Sequence, residues 1–369
     1  MKYYILAGEA SGDLHGSNLI KALRDKDPHA TIRCWGGDLM QQAGGDLVSH
    51  YKDRAFMGFA EVVANLPKIA KLIKFCKKDI LDFAPDALIF IDNSGFNLRI
   101  AKWAKPEGLK TYYYISPQVW ASRPGRVKTI QATIDHMYVV LPFVKDFYDS
   151  HKVPVHFVGH PLLDAIANKA PVDPKTFKEQ YGLDDRPIIA ILPGSRKQEI
   201  TKMLAVMLSI TKDFSDYQFV VAGAPSQDKS FYDSIIPEGS ATLVANKTYD
   251  LLSVATAALV TSGTATLETA LFKVPQVVCY KGGQISYQIA KRVINLKYIS
   301  LVNLILDKPV VTELIQNDFN ATNLKKELGK ILDQYHRATL FLEYYDLEKI
   351  LGGKGASEKT AALIYESLQ

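Results

Sequence analysis

Short apolar runs alternate with stretches of helical periodicity along most of this 369-residue chain. The clearest runs, Ala87–Ile91 and Ile188–Leu192, contain only apolar residues, as expected of strands that are buried on both faces of a sheet. Glycine-containing or polar turns follow these runs, and helical segments separate them. Strands and helices in this order form parallel sheets with crossover connections. The pattern therefore predicts an α/β fold with doubly wound parallel sheets.

The predicted strands form two series, one in each half of the chain. The first series is Lys2–Ala7, Thr31–Trp35, Ala87–Ile91, Thr111–Ile115, His136–Val140 and Val155–Val158. The second series is Ile188–Leu192, Gln218–Ala222, Thr242–Val244, Ala257–Val260 and Gln276–Tyr280. A segment with three prolines and several charges, residues 168–187, separates them.

This division predicts two Rossmann-like domains of similar size, residues 1–167 and 168–345. We expect the C-terminal helices, about 346–369, to pack back on the first domain. Ligands of open α/β sheets bind beyond the carboxyl ends of the strands. Two such sheets that face each other would place a site in the cleft between them.

The net charge of +5 is concentrated in one region of the first half. Residues 61–128 contain twelve Lys and Arg residues against six Asp and Glu residues. This excess predicts an anionic partner and leaves a phosphorylated substrate, an acidic lipid and a nucleic acid open. No recognised nucleic-acid-binding module accompanies it, so we expect no nucleic-acid partner.

Cysteine spacing and hydropathy indicate a cytoplasmic protein. The three cysteines, Cys34, Cys76 and Cys279, form no C-x-x-C pair, which argues against a disulfide framework and a structural zinc site. Glu9 and Asp13 interrupt the first apolar run too early for a signal peptide. No uncharged run approaches the ~18 residues that a membrane span needs. We therefore expect neither export nor a membrane span.

The turn after the first strand places four polar side chains at one strand end: Glu9, Ser11, Asp13 and His15. It lacks the glycine spacing of a dinucleotide-binding turn and the Gly-Lys-Ser/Thr sequence of a P-loop, which disfavours a dinucleotide or ATP. Carboxylates, hydroxyls and imidazoles are good hydrogen-bond partners for sugar hydroxyls. The turn therefore indicates a sugar or polyol site, with an ordinary capped helix start as the alternative.

The second candidate turn, Asp92–Asn97, follows the buried strand Ala87–Ile91. A carboxylate at the carboxyl end of such a strand is partly desolvated, which raises its pKa and suits a general base. Asp92 is therefore the candidate base. The alternative is that Asp92 only caps the next helix.

Two turns in the second half have the composition of anion-binding turns. The first contains Gly194, Ser195 and Arg196, and the second contains Ser262, Gly263, Thr264 and Glu268. Glycines allow close backbone approach, helix N-termini favour anions, and an arginine fork suits a diphosphate. Glu268 lies one turn into its helix, where it could accept hydrogen bonds from ribose hydroxyls. The alternatives are a solvated basic loop and an N-cap with a buried glutamate.

Two patterns that resemble metal sites are weak. Asp25-Lys26-Asp27 matches the D-x-D pattern of metal-dependent sugar transferases, but it lies at a predicted helix end before Pro28 and not at a strand end. Three histidines have loose spacing and no acidic partner pattern: His151, His156 and His160. We therefore expect no bound metal.

Seven segments together resemble one family, the lipid-A-disaccharide synthases, which are glycosyltransferases of the two-Rossmann-domain GT-B type. The matching segments are Ala7–Asp13, Ile91–Asn97, Tyr114–Trp120, Val158–Pro161, Leu192–Arg196, Thr261–Glu268 and Tyr298–Leu304. They follow family order and spacing across nearly the whole chain, so together they are specific where one alone would be weak.

The resemblance implies an inverting reaction without a metal or redox cofactor. A 2,3-diacylglucosamine unit passes from UDP to the 6-hydroxyl of 2,3-diacylglucosamine 1-phosphate, which gives UDP and the lipid A disaccharide 1-phosphate. Asp92 matches the family's general base. The acceptor side would be Glu9, Ser11, Asp13, His15 and Asn97. The UDP side would be Gly194, Ser195, Arg196, Ser262, Gly263, Thr264, Glu268 and Asn303.

This chain departs from the family pattern beside the candidate base. Relatives often read D-x-P-D-F-N, whereas this chain has Ser94 and Gly95 in place of the proline and the second aspartate. The departure predicts that Asp92 is the single acid at this turn, aided by Glu9 or His15.

Acylated substrates imply contact with a bilayer surface, and residues 56–83 suit it. A helical stripe is expected to pack on the domain: Phe59, Val62, Leu66, Ile69, Ile73, Cys76 and Ile80. Off that stripe, Met57, Val63, Leu72 and Phe75 lie among five lysines, which suits anionic lipid. We expect a peripheral protein on the inner face of the bacterial inner membrane, with a homodimer left open. The alternative is a solvated helix with a wide core face.

Rival functions are a UDP-N-acetylglucosamine 2-epimerase, the lipid II-forming transferase and a non-catalytic lipid- or nucleotide-binding protein. A requirement for acylated sugar nucleotides would separate the favoured reaction from the first two. UDP release with acylated substrates would exclude the third.

Overall fold

The computed structural model describes residues 1–54, 66–122, 124–283 and 297–369. The chain forms two compact units, unit 1 (residues 1–168 and 351–369) and unit 2 (residues 169–350). The chain returns to unit 1 at Leu351, not at about 346, because the helix Gln334–Ile350 continues unbroken to that point. Gly352 and Gly353 follow it with φ values of +90° and +70°, which L side chains rarely adopt.

Unit 1 contains one parallel sheet with helices connecting its strands. The strands are β1 (Lys2–Ala7), β2 (Thr31–Gly36), β3 (Asp46–His50), β4 (Ala87–Ile91), β5 (Thr111–Tyr114), β6 (His136–Val139) and β7 (His156–Phe157). The helices are α1 (Ala10–Lys26), α2 (Asp38–Gln42), α3 (Leu66–Phe83), α4 (Ser94–Ala104), α5 (Val119–Ser122), α6 (Val127–Thr133), α7 (Pro142–Ser150), α8 (Pro161–Ala167) and, after unit 2, α17 (Ala356–Glu366). Short 3-10 turns span Tyr51–Arg54 and Pro124–Arg126.

Unit 2 repeats this architecture. Its strands are β8 (Ile188–Leu192), β9 (Gln218–Gly223), β10 (Thr242–Ala245), β11 (Ala255–Thr261), β12 (Gln276–Tyr280) and β13 (Glu313–Ile315). Its helices are α9 (Pro174–Gln180), α10 (Lys197–Leu208), α11 (Lys229–Asp233), α12 (Thr248–Val254), α13 (Thr264–Leu271), α14 (Leu301–Leu306), α15 (Ala321–Leu332) and α16 (Gln334–Ile350). A short 3-10 turn spans Thr211–Asp213.

The strand orders confirm the predicted α/β class with doubly wound parallel sheets. Unit 1 has the order β3-β2-β1-β4-β5-β6-β7, and unit 2 has the order β10-β9-β8-β11-β12-β13. In both sheets the order reverses between two central strands, β1 and β4 in unit 1 and β8 and β11 in unit 2. Such a reversal is a topological switch point, where connections leave in opposite directions and open a ligand crevice.

The central strands form the core of each sheet because their residues are apolar and buried on both faces. All five residues of β4 and all five of β8 are buried. The sequence missed two edge strands, β3 and β13. Most residues of both are only half-buried, so neither shows the continuous apolar run that marks the central strands.

Helix α3 carries part of the predicted lipid-facing stretch. Cys76 and Ile80 are buried, as the helical stripe predicts, whereas Ile69 and Ile73 are only half-buried. The earlier members of the stretch, residues 56–65, lie outside the described residues. In the ranges that the structure describes, no helix has the length and apolarity needed to cross a membrane.

The C-terminal helix α17 is held on unit 1 by a buried aspartate. The carboxylate of Asp164, on α8, accepts hydrogen bonds from the backbone N–H of Gly355 at 2.7 Å and of Ser357 at 2.9 Å. These donors belong to the first turn of α17 and have no partner within the helix. Asp164 is only 8% exposed, so little water could replace it.

We predict that Asp164→Ala destabilises unit 1. Hydrogen bonds to charged groups contribute about 1.5–3 kcal/mol each, so the free energy of unfolding should fall by about 3 kcal/mol or more. All three tryptophans lie in unit 1 (Trp35, Trp103 and Trp120), so tryptophan fluorescence in a urea titration reports on that unit.

Asp149→Ala is the matched control for this titration. Asp149 forms an exposed pair with Lys145 on α7, and such pairs contribute about 0.3–0.5 kcal/mol. Equal midpoints for the two variants would contradict the role given to Asp164.

Candidate active site

Two predicted turns emerge side by side at the switch point of unit 1. Ala7, the last residue of β1, pairs in register with Ile91, the last residue of β4. The turns that begin at Gly8 and Asp92 are therefore neighbours. A Cβ atom at Gly8 would lie 2.0 Å from Nδ2 of Asn93, so only glycine allows the two turns to approach this closely.

The backbone at Asp92 is held in an unusual conformation. Asp92 and Asn93 both have left-handed φ values, +43° and +42°. Such residues cost about 1–3 kcal/mol each and persist when their surroundings fix them. Here the carbonyl oxygen of Asp92 accepts hydrogen bonds from the Tyr113 hydroxyl and, at 2.9 Å, from Nδ2 of Asn97. These two side chains fix the direction in which Asp92 leaves the sheet.

The environment of the Asp92 carboxyl group suits a base that works near neutral pH. Its side chain is accessible to solvent, yet surrounding protein atoms desolvate the carboxylate. This desolvation, followed by repulsion from the Glu9 carboxylate, raises the pKa of Asp92 to about 6. Glu9 and Ser11 are exposed at the neighbouring turn, as expected of side chains that meet a ligand.

Asn97 braces the strand ends beneath the turn. It is 1% exposed, and its Nδ2 donates to the carbonyls of Leu6, Ile91 and Asp92 at 3.4, 3.1 and 2.9 Å. In the structure its donors are engaged by the backbone beneath the site, and its contact with the acceptor stays a prediction.

Asp13 also has a structural position. Its buried carboxylate accepts hydrogen bonds from the backbone N–H groups of Gly37, Leu39 and Met40 at 2.8–3.1 Å. A Cβ atom at Gly37 would lie 2.6 Å from Oδ2 of Asp13, so this turn fits closely around the carboxylate. In the structure this carboxylate caps α2, and its contact with the acceptor stays a prediction.

His15 is buried behind the site instead of lying in it. It is 7% exposed, and burial lowers its pKa to about 4, an effect that the nearby Asp164 carboxylate opposes. His160 is its imidazole neighbour, and burial lowers the pKa of that group to about 3. His15 therefore stays neutral near pH 7, and its charged neighbour is Asp164, not Asp92. A role for His15 as helper of the base stays a prediction.

Sequence reasoning missed Arg126, which the fold brings to this site. Arg126 ends the turn Pro124–Arg126, and its Nη1 donates to Oγ of Ser94 at 3.2 Å. Ser94 is two residues beyond Asp92. The signal in the sequence was the basic excess of residues 61–128, which includes Arg126.

The switch point of unit 2 brings the other two predicted turns together. Leu192 of β8 pairs in register with Val260 of β11. Gly194 has a φ of +103°, and a Cβ atom there would lie 2.4 Å from Oε2 of Glu199, so the turn needs glycine. Ser195 and Arg196 are exposed, and Arg196 is the N-cap residue of α10.

The second turn of unit 2 presents Gly263 and Thr264 to solvent at the start of α13. Ser262 is partly engaged, because its hydroxyl donates to the carbonyl of Ile299 at 3.0 Å. Glu268 accepts a hydrogen bond from the Tyr249 hydroxyl at 2.9 Å. Burial raises the pKa of Glu268, and the Tyr249 hydrogen bond opposes this shift.

Asn303 is buried and its amide is hydrogen-bonded within unit 2. It is 1% exposed, its Nδ2 donates to the carbonyl of Val311 and to Oε1 of Glu313, and its Oδ1 accepts from the N–H of Val311, all at 2.9 Å. In the structure this amide holds the segment before β13, and the UDP contact of Asn303 stays a prediction.

The residues that resembled a metal site have structural partners. Asp27 of the D-x-D pattern accepts hydrogen bonds from the N-terminal amine at 2.8 Å and from the Tyr3 hydroxyl at 3.3 Å. Among the residues that the structure describes, no three His, Cys, Asp or Glu side chains converge as metal ligands.

Known structures and relatives define the class of this protein. The UDP-GlcNAc 2-epimerase from Neisseria meningitidis, solved with UDP-GlcNAc, matches with a TM-score of 0.67 at 13% identity, over 100% of this chain and 99% of that chain. The glycotransferase of kitacinnamycin matches with a TM-score of 0.64 at 12% identity, over 100% and 99%. The fold is therefore that of the GT-B glycosyltransferases and UDP-sugar epimerases.

Sequence relationships specify the family within that class. The family model of the lipid-A-disaccharide synthetases matches residues 3–357. The lipid-A-disaccharide synthase of Syntrophus aciditrophicus is 40% identical over 368 residues, which cover 97% of this chain and 96% of the relative. The chain belongs to the lipid-A-disaccharide synthase family and is a glycosyltransferase of lipid A biosynthesis. The epimerases share its fold only.

The raised pKa of Asp92 predicts the acid side of the pH profile. A base must be ionised to accept a proton, so kcat/KM should fall as the pH drops through about 6. Glu9→Gln removes the repelling carboxylate and should therefore move this limb to lower pH. The exposed Glu107→Gln is the control that should leave the limb in place. A profile that Glu9→Gln does not move would exclude the Glu9–Asp92 coupling.

Proposed function

We propose that this enzyme transfers the acylated glucosamine of UDP-2,3-diacylglucosamine to the 6-hydroxyl of 2,3-diacylglucosamine 1-phosphate. Its products are UDP and the β-1,6-linked disaccharide 1-phosphate. The observation that carries the proposal is the Asp92 carboxyl group, which is accessible at the switch point of unit 1 and has its pKa raised to about 6. The substrates are those that family membership implies.

In the proposed mechanism, the Asp92 carboxylate accepts the proton of the acceptor 6-hydroxyl. The oxygen then attacks the anomeric carbon from the face opposite UDP, and the bond from that carbon to the diphosphate oxygen breaks. This direct displacement inverts the anomeric centre. The requirement for one base and for stabilisation of a diphosphate leaving group follows from this chemistry.

The donor is proposed to bind at the switch point of unit 2. Helices α10 and α13 direct their N-termini to the carboxyl edge of the sheet, and helix N-termini favour anions. The exposed Arg196 would stabilise the diphosphate as negative charge develops on it. Glu268 would accept hydrogen bonds from the ribose hydroxyls while Tyr249 holds one of its oxygens. Unit 1 is then the acceptor domain and unit 2 the donor domain.

One crossed experiment tests both halves of this proposal. Purified protein is incubated with both acylated substrates, the disaccharide is followed by mass spectrometry, and UDP affinity is measured by calorimetry. Asp92→Asn should lower turnover by about 10²–10⁴-fold and leave the Kd for UDP unchanged, because an amide cannot accept the proton. Arg196→Ala should weaken UDP binding and lower kcat together.

Each variant is the control for the other in this experiment. Turnover of Asp92→Asn within threefold of wild type would remove Asp92 from the mechanism. Unchanged UDP affinity in Arg196→Ala and also in Glu268→Ala would place the donor elsewhere. Absence of disaccharide with the wild-type protein would refute the reaction itself.

We also propose that the enzyme works at the anionic inner face of the inner membrane, because both substrates carry acyl chains. Helix α3 supports this surface in its described part. Phe75 and Leu81 are 49% and 50% exposed, and the side chains of Lys71, Lys74 and Lys78 are exposed on the same helix. Apolar side chains among lysines suit a helix that lies in the headgroup region.

Charge reversal of Lys71, Lys74 and Lys78 should release the protein from vesicles that contain anionic lipid, with activity on short-chain substrates retained. Reversal of Lys175, Lys212 and Lys326 is the control, because these exposed lysines of unit 2 give the same change in net charge. A second variant, Leu72→Ser with Phe75→Ser, should weaken binding at high salt as well, where charges are screened. Unchanged co-sedimentation of both α3 variants would contradict this surface.

A further inference from the structure

Arg126 contacts the turn that begins at Asp92. Its guanidinium contacts Oγ of Ser94 at 3.2 Å, and Ser94 is the first residue of α4. Asp92 and Ser94 are two residues apart in sequence, so their Cα atoms are separated by at most about 7 Å. This span is comparable to the distance from the 6-hydroxyl of a hexose to a substituent on its C1.

The charges around Asp92 create a need for a cation at this distance. Glu9 and Asp92 are both acidic, so an acceptor that carries a phosphate meets like charge on this side of the site. The Arg126 guanidinium, held at the turn beyond Asp92, can offset the charge of the phosphate.

The shape of the turn leaves room beside Arg126. Among the residues that the structure describes, no atom lies within 4 Å of a Cβ atom placed at Gly95, so they leave space next to Ser94. Gly95 itself adds no charge beside the guanidinium. Arginine suits the planar, two-pronged recognition of phosphate better than lysine does.

We infer that Arg126, with the Ser94 hydroxyl, binds the phosphate of the sugar 1-phosphate acceptor and so directs its 6-hydroxyl to Asp92. This inference rests on the proposed function and adds a specificity residue to it. Arg126 then decides which end of the acceptor faces the base. The phosphorylated acceptor is preferred because a neutral sugar lacks the group that Arg126 recognises.

The test compares four proteins: wild type, Arg126→Gln, Arg126→Lys and the control Arg99→Gln. Arg99 is an exposed arginine farther along α4, so its replacement gives the same change in charge on the same element. The measurements are the KM values for donor and acceptor, the Kd for UDP, and the inhibition constant of 2,3-diacylglucosamine, which lacks the phosphate. Thermal melting shows whether each variant folds.

Arg126→Gln should raise the acceptor KM at least about tenfold and leave the donor KM, the Kd for UDP and the inhibition constant of the neutral sugar unchanged. Arg126→Lys should recover part of the loss, because it retains the charge without the fork. Arg99→Gln should match the wild type in every measurement.

Three outcomes would overturn the inference. Equal weakening of the phosphorylated and neutral sugars would show that Arg126 only holds α6 to α4, and Ser94→Ala should then reproduce the effect. A loss confined to donor KM and UDP affinity would place Arg126 on the diphosphate. Unchanged constants in Arg126→Gln would remove it from the site.

If the protein does not catalyse the proposed reaction, the experiment gives a different result. In that case the wild-type protein makes no disaccharide. The affinity of each protein for the sugar 1-phosphate, measured directly by calorimetry, then still decides whether Arg126 binds the phosphate.

Discussion

Both candidate sites depend on one constraint, the parallel pairing of two central strands whose connections leave in opposite directions. In unit 1 these strands are β1 and β4, and in unit 2 they are β8 and β11. Backbone hydrogen bonds fix their register, so the residues after Ala7 and Ile91 emerge together, as do those after Leu192 and Val260. The side chains in these turns come from distant parts of the sequence, and the sheets bring them within reach of one ligand.

The candidate base is positioned by side chains beneath its turn. Two successive left-handed residues, Asp92 and Asn93, are unfavourable by themselves, and buried hydrogen bonds from Tyr113 and Asn97 hold them. The same crowding raises the pKa of the Asp92 carboxyl group. Backbone strain, positioning and basicity at this turn therefore have a common physical origin.

The central strands and four turns were predictable because they produce local signals, namely apolar runs and the glycine or polar residues that follow them. Edge strands such as β3 lack that signal because one side is half-exposed. The structural contacts of Asp13 and Asn303 were not predictable because the backbone groups that their carboxylate and amide bind are brought near only by tertiary packing. Arg126 was missed for the converse reason: its contact with Ser94 joins residues separated by 32 positions.

The docking of α17 through Asp164 also determines the order in which the protein is built. Residues 169–350 form a continuous unit, so all of unit 2 leaves the ribosome before the last segment of unit 1. Unit 1 therefore remains incomplete until residues 351–369 are made. Until then, the surface of α1 that packs against α17 is uncovered. Domains generally fold as units during synthesis. The N-terminal unit of this enzyme is consequently completed after unit 2, and residues 351–369 complete it.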